Sequence, residues 1–245
     1  MQILAIESAA MTASAALLRD GIVAAEYTVD FKKTHSQTLL PMIDEIVSMT
    51  DTDLKELDAI AVSEGPGSFT GLRIGSATAK GLGLALKKPL VAVPTLEAMA
   101  YQCWGSACPV CPVMDARRGQ VYTALCRFDR QGNMETVREQ QVVMLSDWLE
   151  ELKKTAEPIL FVGDGIPVVE QQIRAALPDC LFAPPHMNRQ RAAAVGALAE
   201  VLFARGKLQT AAEHTPCYLR KSQAERERER LAAEEAESCG GERRI

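Results

Sequence analysis

Apolar residues in the first part of the chain occur first in short continuous runs and then at helical spacing. The continuous runs predict three consecutive strands, at residues 2–6, 13–18 and 22–29. Leu39, Ile43 and Ile46 then lie at the spacing of a helix over 36–49. The following elements alternate: a strand over 58–63, a helix over 71–87, a strand over 90–93 and a short helix capped by Thr95. This order predicts a mixed sheet with helical cover, which is an α/β lobe.

The second half of the chain repeats the beginning of this pattern. Residues 7–17 (ESAAMTASAAL) and 115–125 (DARRGQVYTAL) each open with an acidic residue after an apolar strand and end in Ala-Leu. Further elements are predicted as strands near 119–128, 137–144 and 159–165 and helices near 146–154, 166–177 and 188–205. The repeat predicts two related lobes, with Glu7 and Asp115 at the first hairpins facing a cleft.

Composition changes sharply near the C-terminus. From Gln223 the sequence reads QAERERERLAAEEAESCGGERRI, with oppositely charged pairs such as Arg230 and Glu234 and no apolar stripe. We therefore predict an N-terminal lobe over 1–104, a C-terminal lobe over 105–222 and a charged, partly disordered tail over 223–245.

Overall composition narrows the functional classes. The chain has 245 residues, of which 47% are hydrophobic and 24% charged, as in ordinary globular proteins. Its net charge of −5 argues against a strong sequence-independent grip on nucleic acid, so any RNA would be held mainly by a partner. No apolar run approaches the ~18 residues of a membrane span. The seven scattered cysteines favour a cytoplasmic protein over a disulfide framework.

The strongest local signal is the stretch SEGPGSFTGLRIG at residues 63–75, between a predicted strand and a predicted helix. Such a loop presents backbone N–H groups at a helix N-terminus, which is a site for anions. The candidate anion-binding residues are Gly65, Gly67, Ser68, Thr70, Gly71 and Arg73. The stretch matches neither the P-loop nor the dinucleotide-binding pattern. The alternative stays open that its glycines serve turn geometry alone.

The helix after this loop carries Gly75, Ala79 and Gly83 on one face. Two glycines inside a helix are unfavourable, so their position indicates close approach of another helix. That helix belongs either to the same lobe or to another subunit.

Candidate catalytic groups are sparse. The three histidines, including His35 before the first long helix, form no H-x-x-x-H or H-E-x-x-H pattern, and a capping or surface role is expected for His35. Cys108 and Cys111 form a C-x-x-C without a second ligand pair, which disfavours metal or redox use. Glu7 and Asp115 either hold Mg²⁺ through water or each cap their own turn. The sequence thus predicts an anion loop and a cleft without a nucleophile or a metal cage.

Several of these stretches occur together in one known family. They are ILAIESA (3–9), His35-Ser36, EGPGSFTGLRIG (64–75), MDARRGQVY (114–122), VGDG (162–165) and CYLRK (217–221). On these motifs the chain resembles the bacterial TsaB family, also called YeaZ. Its members are non-catalytic dimerization subunits of the machinery that makes N6-threonylcarbamoyladenosine at position 37 of tRNAs reading ANN codons.

The resemblance implies a two-lobe fold of the actin/Hsp70/sugar-kinase type, which is ribonuclease H-like, with mixed five-stranded sheets. It implies a heterodimer with the catalytic paralogue TsaD, a larger complex with the ATPase TsaE, and a homodimer when the chain is alone. Gly75, Ala79 and Gly83 then become candidate interface residues. No catalytic or metal-binding residue is implied, and the loop becomes an inherited one in which weak ATP, ADP or Mg²⁺ binding stays open.

One departure from the family favours residual nucleotide or ion binding: many members have Asp-Thr where this chain has Glu7-Ser8. The glycine loop, the two acidic residues and the wider family leave two other functions open. One is a nucleotide-binding ATPase or kinase of the same fold. The other, which the missing histidine pair disfavours, is a metallopeptidase of the glycoprotease type.

Overall fold

The computed structural model describes residues 1–220, so the predicted charged tail lies outside the described residues. Within residues 1–220, ten strands form two five-stranded sheets. The first sheet consists of β1 (Gln2–Glu7), β2 (Ala13–Arg19), β3 (Ile22–Val29), β4 (Ala59–Gly65) and β5 (Leu90–Pro94). The second consists of β6 (Val110–Arg117), β7 (Gln120–Phe128), β8 (Met134–Met144), β9 (Leu160–Val162) and β10 (Leu181–Phe182).

Six helices cover these sheets within the same residues. They are α1 (His35–Met49), α2 (Phe69–Leu86), α3 (Thr95–Tyr101), α4 (Leu145–Leu152), α5 (Ile166–Ala176) and α6 (Ala192–Ala204). None of them combines the length and the apolar character needed to cross a bilayer.

Both faces of the first sheet are buried, which explains why its central strands are continuously apolar. Side chains alternate along β1: Leu4 and Ile6 pack in the cluster that contains α1 and α2, whereas Ile3 and Ala5 pack against α6. In the second sheet, α4 and α5 cover one face, with Trp148 and Phe161 fully buried there.

The two sheets repeat one topology. Their strand orders are β3-β2-β1-β4-β5 and β8-β7-β6-β9-β10, so each strand of the first sheet has a counterpart in the second. The central strands β1 and β6 each pair antiparallel with the next strand and parallel with the fourth strand of their sheet. The predicted ribonuclease H-like fold with two mixed five-stranded sheets is therefore confirmed.

The C-terminal part of the chain departs from the predicted division of the lobes. Helix α6 packs on β1, β2 and β5 of the first sheet rather than on the second. Gly196 makes this possible, because a Cβ there would clash with Leu18. The N-terminus of α6 is held by Ser14 Oγ, which accepts from the N–H of Ala192 at 3.0 Å, and by Glu26. Gln209 then forms an isolated bridge with Leu90.

Candidate functional site

A cleft of about 800 Å³ separates the two lobes. Its first wall is the hairpin loop of Ala9 to Met11 and the loop of Gly67 to Thr70, and its second wall is the segment 114–117 with Asp164. Residues 218–220 also line it. Below the cleft the lobes meet through an apolar cluster that includes Leu72 from one side and Met114 from the other. The structure thus brings the predicted anion loop and Asp115 to one cavity.

The glycines of the loop lie against neighbouring backbone. A Cβ at Gly65 would clash with the carbonyl oxygen of Cys217, and one at Gly67 would clash with that of Ala9. At Gly71 the obstacle would be the carbonyl oxygen of Ser8. Each glycine is therefore required for close packing within the chain, whether or not an anion binds.

Part of the loop's hydrogen-bonding capacity is used within the protein. Helix α2 begins at Phe69 with Ser68 as its N-cap, two residues earlier than the sequence predicts. The Ser68 N–H donates to Ala9 O at 2.6 Å, and the Ser68 hydroxyl accepts from the N–H of Gly71 at 3.4 Å. The N–H of Gly65 donates to the hydroxyl of Thr95 at 3.1 Å. Thr95 thus supports the loop, and Pro94, not Thr95, is the N-cap of α3.

The C-terminal segment crosses this loop. The Tyr218 ring stacks on Phe69 with 4.6 Å between centroids, and the Arg73 guanidinium lies 4.0 Å from the Phe69 centroid. Arg73 Nε also donates to the Tyr218 hydroxyl at 3.3 Å. Arg73 is thus held against the two rings, and the expectation that it serves the anion loop is not supported by its contacts. Beyond Tyr218, Arg220 donates to the carbonyl of Ala116 in the second lobe.

Glu7 lies beneath the cleft rather than in its wall, because its side chain is only 1% exposed. Its Oε1 accepts from the N–H of Ala9 at 2.6 Å and from the hydroxyl of Ser63 at 3.1 Å. Burial raises the pKa of this carboxyl to about 7, although both hydrogen bonds oppose the rise. Glu7 therefore caps its own turn, which is one of the two roles that the sequence left open.

Asp115 does line the cleft, and its Oδ1 accepts from the N–H of Arg117 at 2.7 Å. By strand alternation Glu7 lies on the sheet face of Ala5, which packs against α6, whereas Asp115 lies on the face of Val113, which packs against α4 and α5. The two carboxyls therefore lie on different faces of the repeated sheet. A second cleft carboxyl, Asp164, accepts from Gln190 Nε2 at 2.9 Å, and burial raises its pKa. Sequence reasoning missed Asp164, although the VGDG stretch contains it.

Within residues 1–220, no three His, Cys, Asp or Glu side chains converge to form a metal site. Cys111 of the C-x-x-C is buried and accepts from Trp148 Nε1 at 3.4 Å. Burial raises the pKa of its thiol to about 11, so the thiolate that metal or redox chemistry needs is disfavoured.

The small-residue face of α2 packs on its own lobe. A Cβ at Gly75 would clash with Ser8 Oγ, and one at Gly83 would lie 3.0 Å from Leu90 Cδ2. Ala79 between them is fully buried. The assignment of Gly75, Ala79 and Gly83 to a partner interface is therefore wrong, because a sheet of the same chain covers this face.

Two histidines have roles that the sequence did not indicate. His35 is buried, and its Nε2 donates to the carbonyl of Ala10 at 2.8 Å, so it supports the cleft hairpin rather than lying at the surface. His214 Nε2 accepts from the Ser76 hydroxyl at 2.7 Å, while its Nδ1 faces Gln209 Oε1 at 3.2 Å. Both side chains of the Ser76–His214 pair are buried, so the pair fastens the C-terminal segment to α2 and offers no nucleophile to a substrate.

Comparison with known proteins gives the family. Residues 25–228 match the family model described as TsaD, tRNA N6-adenosine threonylcarbamoyltransferase. The tRNA threonylcarbamoyladenosine biosynthesis protein TsaB of Bacillus subtilis is 41% identical over 177 residues, which are 72% of this chain and 77% of that protein. The Escherichia coli protein of the same name is 36% identical over 167 residues, 67% of this chain and 72% of that one.

A solved structure agrees with these sequence relatives. YeaZ from Pseudomonas aeruginosa superposes with a TM-score of 0.74 at 27% identity, covering 89% of this chain and 99% of that one. The sequence matches, the shared fold and the cleft together show that this chain belongs to the TsaB (YeaZ) family of tRNA threonylcarbamoyladenosine biosynthesis proteins.

Proposed function

We propose that this chain is a non-catalytic subunit that binds and activates a TsaD-type catalytic paralogue. It would thereby support formation of N6-threonylcarbamoyladenosine at adenosine 37 of tRNAs that read ANN codons. In this proposal a TsaE-type ATPase joins the complex, and tRNA is modified only by the complex. In the absence of the paralogue, two copies of the chain pair with each other.

The state of the ancestral anion loop supports a non-catalytic role. Its glycines are covered by carbonyl oxygens of Ala9 and Cys217, and the Ser68 N–H is bonded within the chain. The stacked rings of Phe69 and Tyr218 lie at the start of α2. A phosphate bound by the N–H groups of Gly65 or Ser68 would have to break their bonds to Thr95 and Ala9.

The observation that carries the proposal is an exposed apolar surface on α1 and α2, which we call the α1–α2 face. It consists of Leu40 and Pro41 of α1 with Ala77, Gly81 and Leu84 of α2. Leu40 is 55% and Leu84 is 66% exposed. Ala77, Gly81 and Leu84 recur at helical spacing on the side of α2 opposite the buried glycines, and small residues there permit close approach of a partner helix.

Gly81 allows this surface to be tested without disturbing the lobe, because a Cβ at this position would meet no atom within 4 Å. Replacing Gly81 with Arg places a charge in the middle of the face and improves helix propensity. We expect binding to the TsaD-type subunit of the same organism to weaken about tenfold or more, because an unpaired charge would be buried. Isothermal titration calorimetry measures the affinity.

The matched control is Gln171→Arg, which adds the same charge at an exposed position of α5 in the second lobe. It should leave the affinity unchanged. Transfer activity is then measured with the TsaD-type and TsaE-type subunits, threonylcarbamoyl-adenylate and tRNA. Modification of tRNA by this chain alone would refute the non-catalytic role, and unchanged binding by Gly81→Arg would move the interface elsewhere.

The cleft itself favours a second candidate, an ATPase or kinase of the same fold, because about 800 Å³ can hold a nucleotide. We expect the covered loop to prevent this. Calorimetry with ATP and Mg²⁺ distinguishes the two functions, since saturable binding below millimolar nucleotide would favour the second.

A further inference from the structure

Four arginines lie in or next to the cleft, and we call them the arginine rim: Arg73, Arg117, Arg118 and Arg220. Arg117 and Arg220 line the cleft itself. Arg73 bonds to Tyr218, and Arg220 lies two residues after Tyr218. Arg220 in turn donates to the carbonyl of Ala116, which is adjacent to Arg117. Residues 218–220 therefore link Arg73 at the start of α2 to the hairpin between β6 and β7.

The rim arginines have no carboxylate partner, whereas several other arginines do. Five arginines elsewhere form ion pairs with carboxylates, namely Arg127, Arg138, Arg174, Arg189 and Arg191; Arg19, Arg130 and Arg205 form none within residues 1–220. Within residues 1–220, no rim arginine forms an ion pair. Arg117 and Arg220 share the cleft with Asp115 and Asp164 but form no ion pair with them, so a bound polyanion would give these arginines ionic partners.

The backbone of the hairpin holds two of these arginines in a left-handed conformation. Arg117 and Arg118 have φ angles of +63° and +58°, and Gly119 follows at +72°. Residues with a Cβ are disfavoured in this region, and Gly or Asn would form the same turn more easily. Two consecutive arginines are thus kept in an unfavourable conformation at an exposed turn.

The rim also carries an aromatic surface. Tyr218 is 38% exposed and its ring packs at a tilt against Phe69, while Arg73 lies over the Phe69 ring and donates to the Tyr218 hydroxyl. Exposed aromatic rings among arginines are the surface on which unstacked nucleic-acid bases bind. The second wall of the cleft also carries Asp115 and Asp164, which would repel a polyphosphate lying against that wall. The charges therefore favour a phosphodiester chain across the mouth over a nucleotide inside.

We propose that the arginine rim and Tyr218 bind RNA directly, by contacting phosphates and a stacked base of the loop of the tRNA substrate. This inference rests on the proposed function, because the complex supplies the tRNA. The net charge of −5 makes the surface as a whole unfavourable for RNA, so the binding is confined to the rim.

The test replaces Arg117 with Gly and Arg118 with Asn in the full chain. The probe is a fluorescein-labelled RNA hairpin with an ANN-reading anticodon loop, titrated by anisotropy at several salt concentrations. Titrations use the chain assembled with its TsaD-type partner and the chain alone. We expect RNA binding to weaken at least about tenfold. The negative slope of log K against log salt should become shallower by about 2, because two arginine–phosphate contacts are lost. The thermal midpoint of the variant should rise, because its residues suit the turn.

Arg130→Asn is the control, since Arg130 is exposed on another turn of the same lobe. It should leave RNA affinity and salt slope unchanged. Equal RNA binding by the rim variant and the wild type overturns the inference, as does loss of partner assembly in the variant, which would make the rim a protein interface. If the wild-type chain fails to assemble with its partner, the proposed function fails instead, and the titration of the chain alone still tests the rim.

Discussion

Glu7 carries an ionisable group in a place where water cannot solvate it. Its carboxyl is buried at the end of β1, with one neighbour from its own turn and one from Ser63 on β4. Because burial favours the neutral form, the folded protein holds this proton up to about pH 7, whereas the unfolded chain releases it near pH 4.5.

The sign of the resulting pH dependence follows from proton binding. Between pH 4.5 and 7 the folded state holds more protons than the unfolded state, so the contribution of Glu7 to stability falls as pH rises through this window. Glu7→Gln keeps an acceptor for Ala9 and removes the titration. We expect its free energy of unfolding, relative to wild type, to rise by on the order of 3 kcal/mol from pH 4 to pH 8.

Urea unfolding at several pH values measures this difference. Glu56→Gln makes the same carboxylate-to-amide change at an exposed position and should follow the wild-type pH profile. A profile of Glu7→Gln parallel to that of the wild type would mean that Glu7 is already ionised in the folded protein.

At single residues, the sequence indicated which residues have a role better than it indicated what surrounds each of them. The turn-capping role of Glu7 was one of two alternatives because the residue type and its position suggested it. The burial of His214 was not predictable, because its partner Ser76 lies far away along the chain. Arg73 was assigned to the loop by proximity in sequence, but its actual contacts come from Tyr218 near the C-terminus.

At the scale of one element, α2 presents two small-residue faces with opposite surroundings. Gly75, Ala79 and Gly83 face the sheet, whereas Ala77 and Gly81 face outward. Periodicity identified the first set correctly as a face without side chains. It could not indicate what covers that face. A strand of the same lobe and a helix of another subunit would both require small residues there.

The two faces should respond oppositely to a larger side chain. Gly83→Leu would bring its Cβ to 3.0 Å from Leu90 Cδ2 and 3.2 Å from Lys88 O. We expect it to lower the free energy of unfolding by about 1–3 kcal/mol through overpacking. Gly81→Leu meets no neighbour and should raise it by up to about 1 kcal/mol through helix propensity. Chemical denaturation of both variants measures the difference, and a stable Gly83→Leu protein would contradict the packing described for α2.

At the scale of the whole molecule, an exposed face on one lobe leads to a prediction about self-association. A face that accepts a paralogue of the same fold can pair with a second copy about a two-fold axis. We expect the purified chain to form a dimer that dissociates when the TsaD-type partner is added. Leu84→Glu should yield a monomer in analytical ultracentrifugation.

Val168→Glu is the matched control, since Val168 on α5 is 65% exposed and Leu84 is 66% exposed. It should leave the dimer intact. A Leu84→Glu protein that still sediments as a dimer would show that two copies meet through another surface.

The two-lobe plan was predictable because the strand pattern occurs twice, and both occurrences form the same sheet topology. The position of α6 was not predictable. Its apolar residues indicated that it is buried, but both lobes offered an apolar sheet face, and only contacts such as Leu18 with Gly196 determine the choice.

The return of α6 and Gln209 to the first sheet also constrains how the protein is made. During translation β1 to β5 emerge early, yet the face of their sheet that packs on α6 stays partly uncovered until residues 192–204 have been synthesised. The later-encoded lobe, in contrast, has all its own strands by residue 182. The second lobe can therefore complete its sheet before the first lobe is fully covered. Until α6 emerges, the uncovered sheet face of the first lobe is exposed to aggregation.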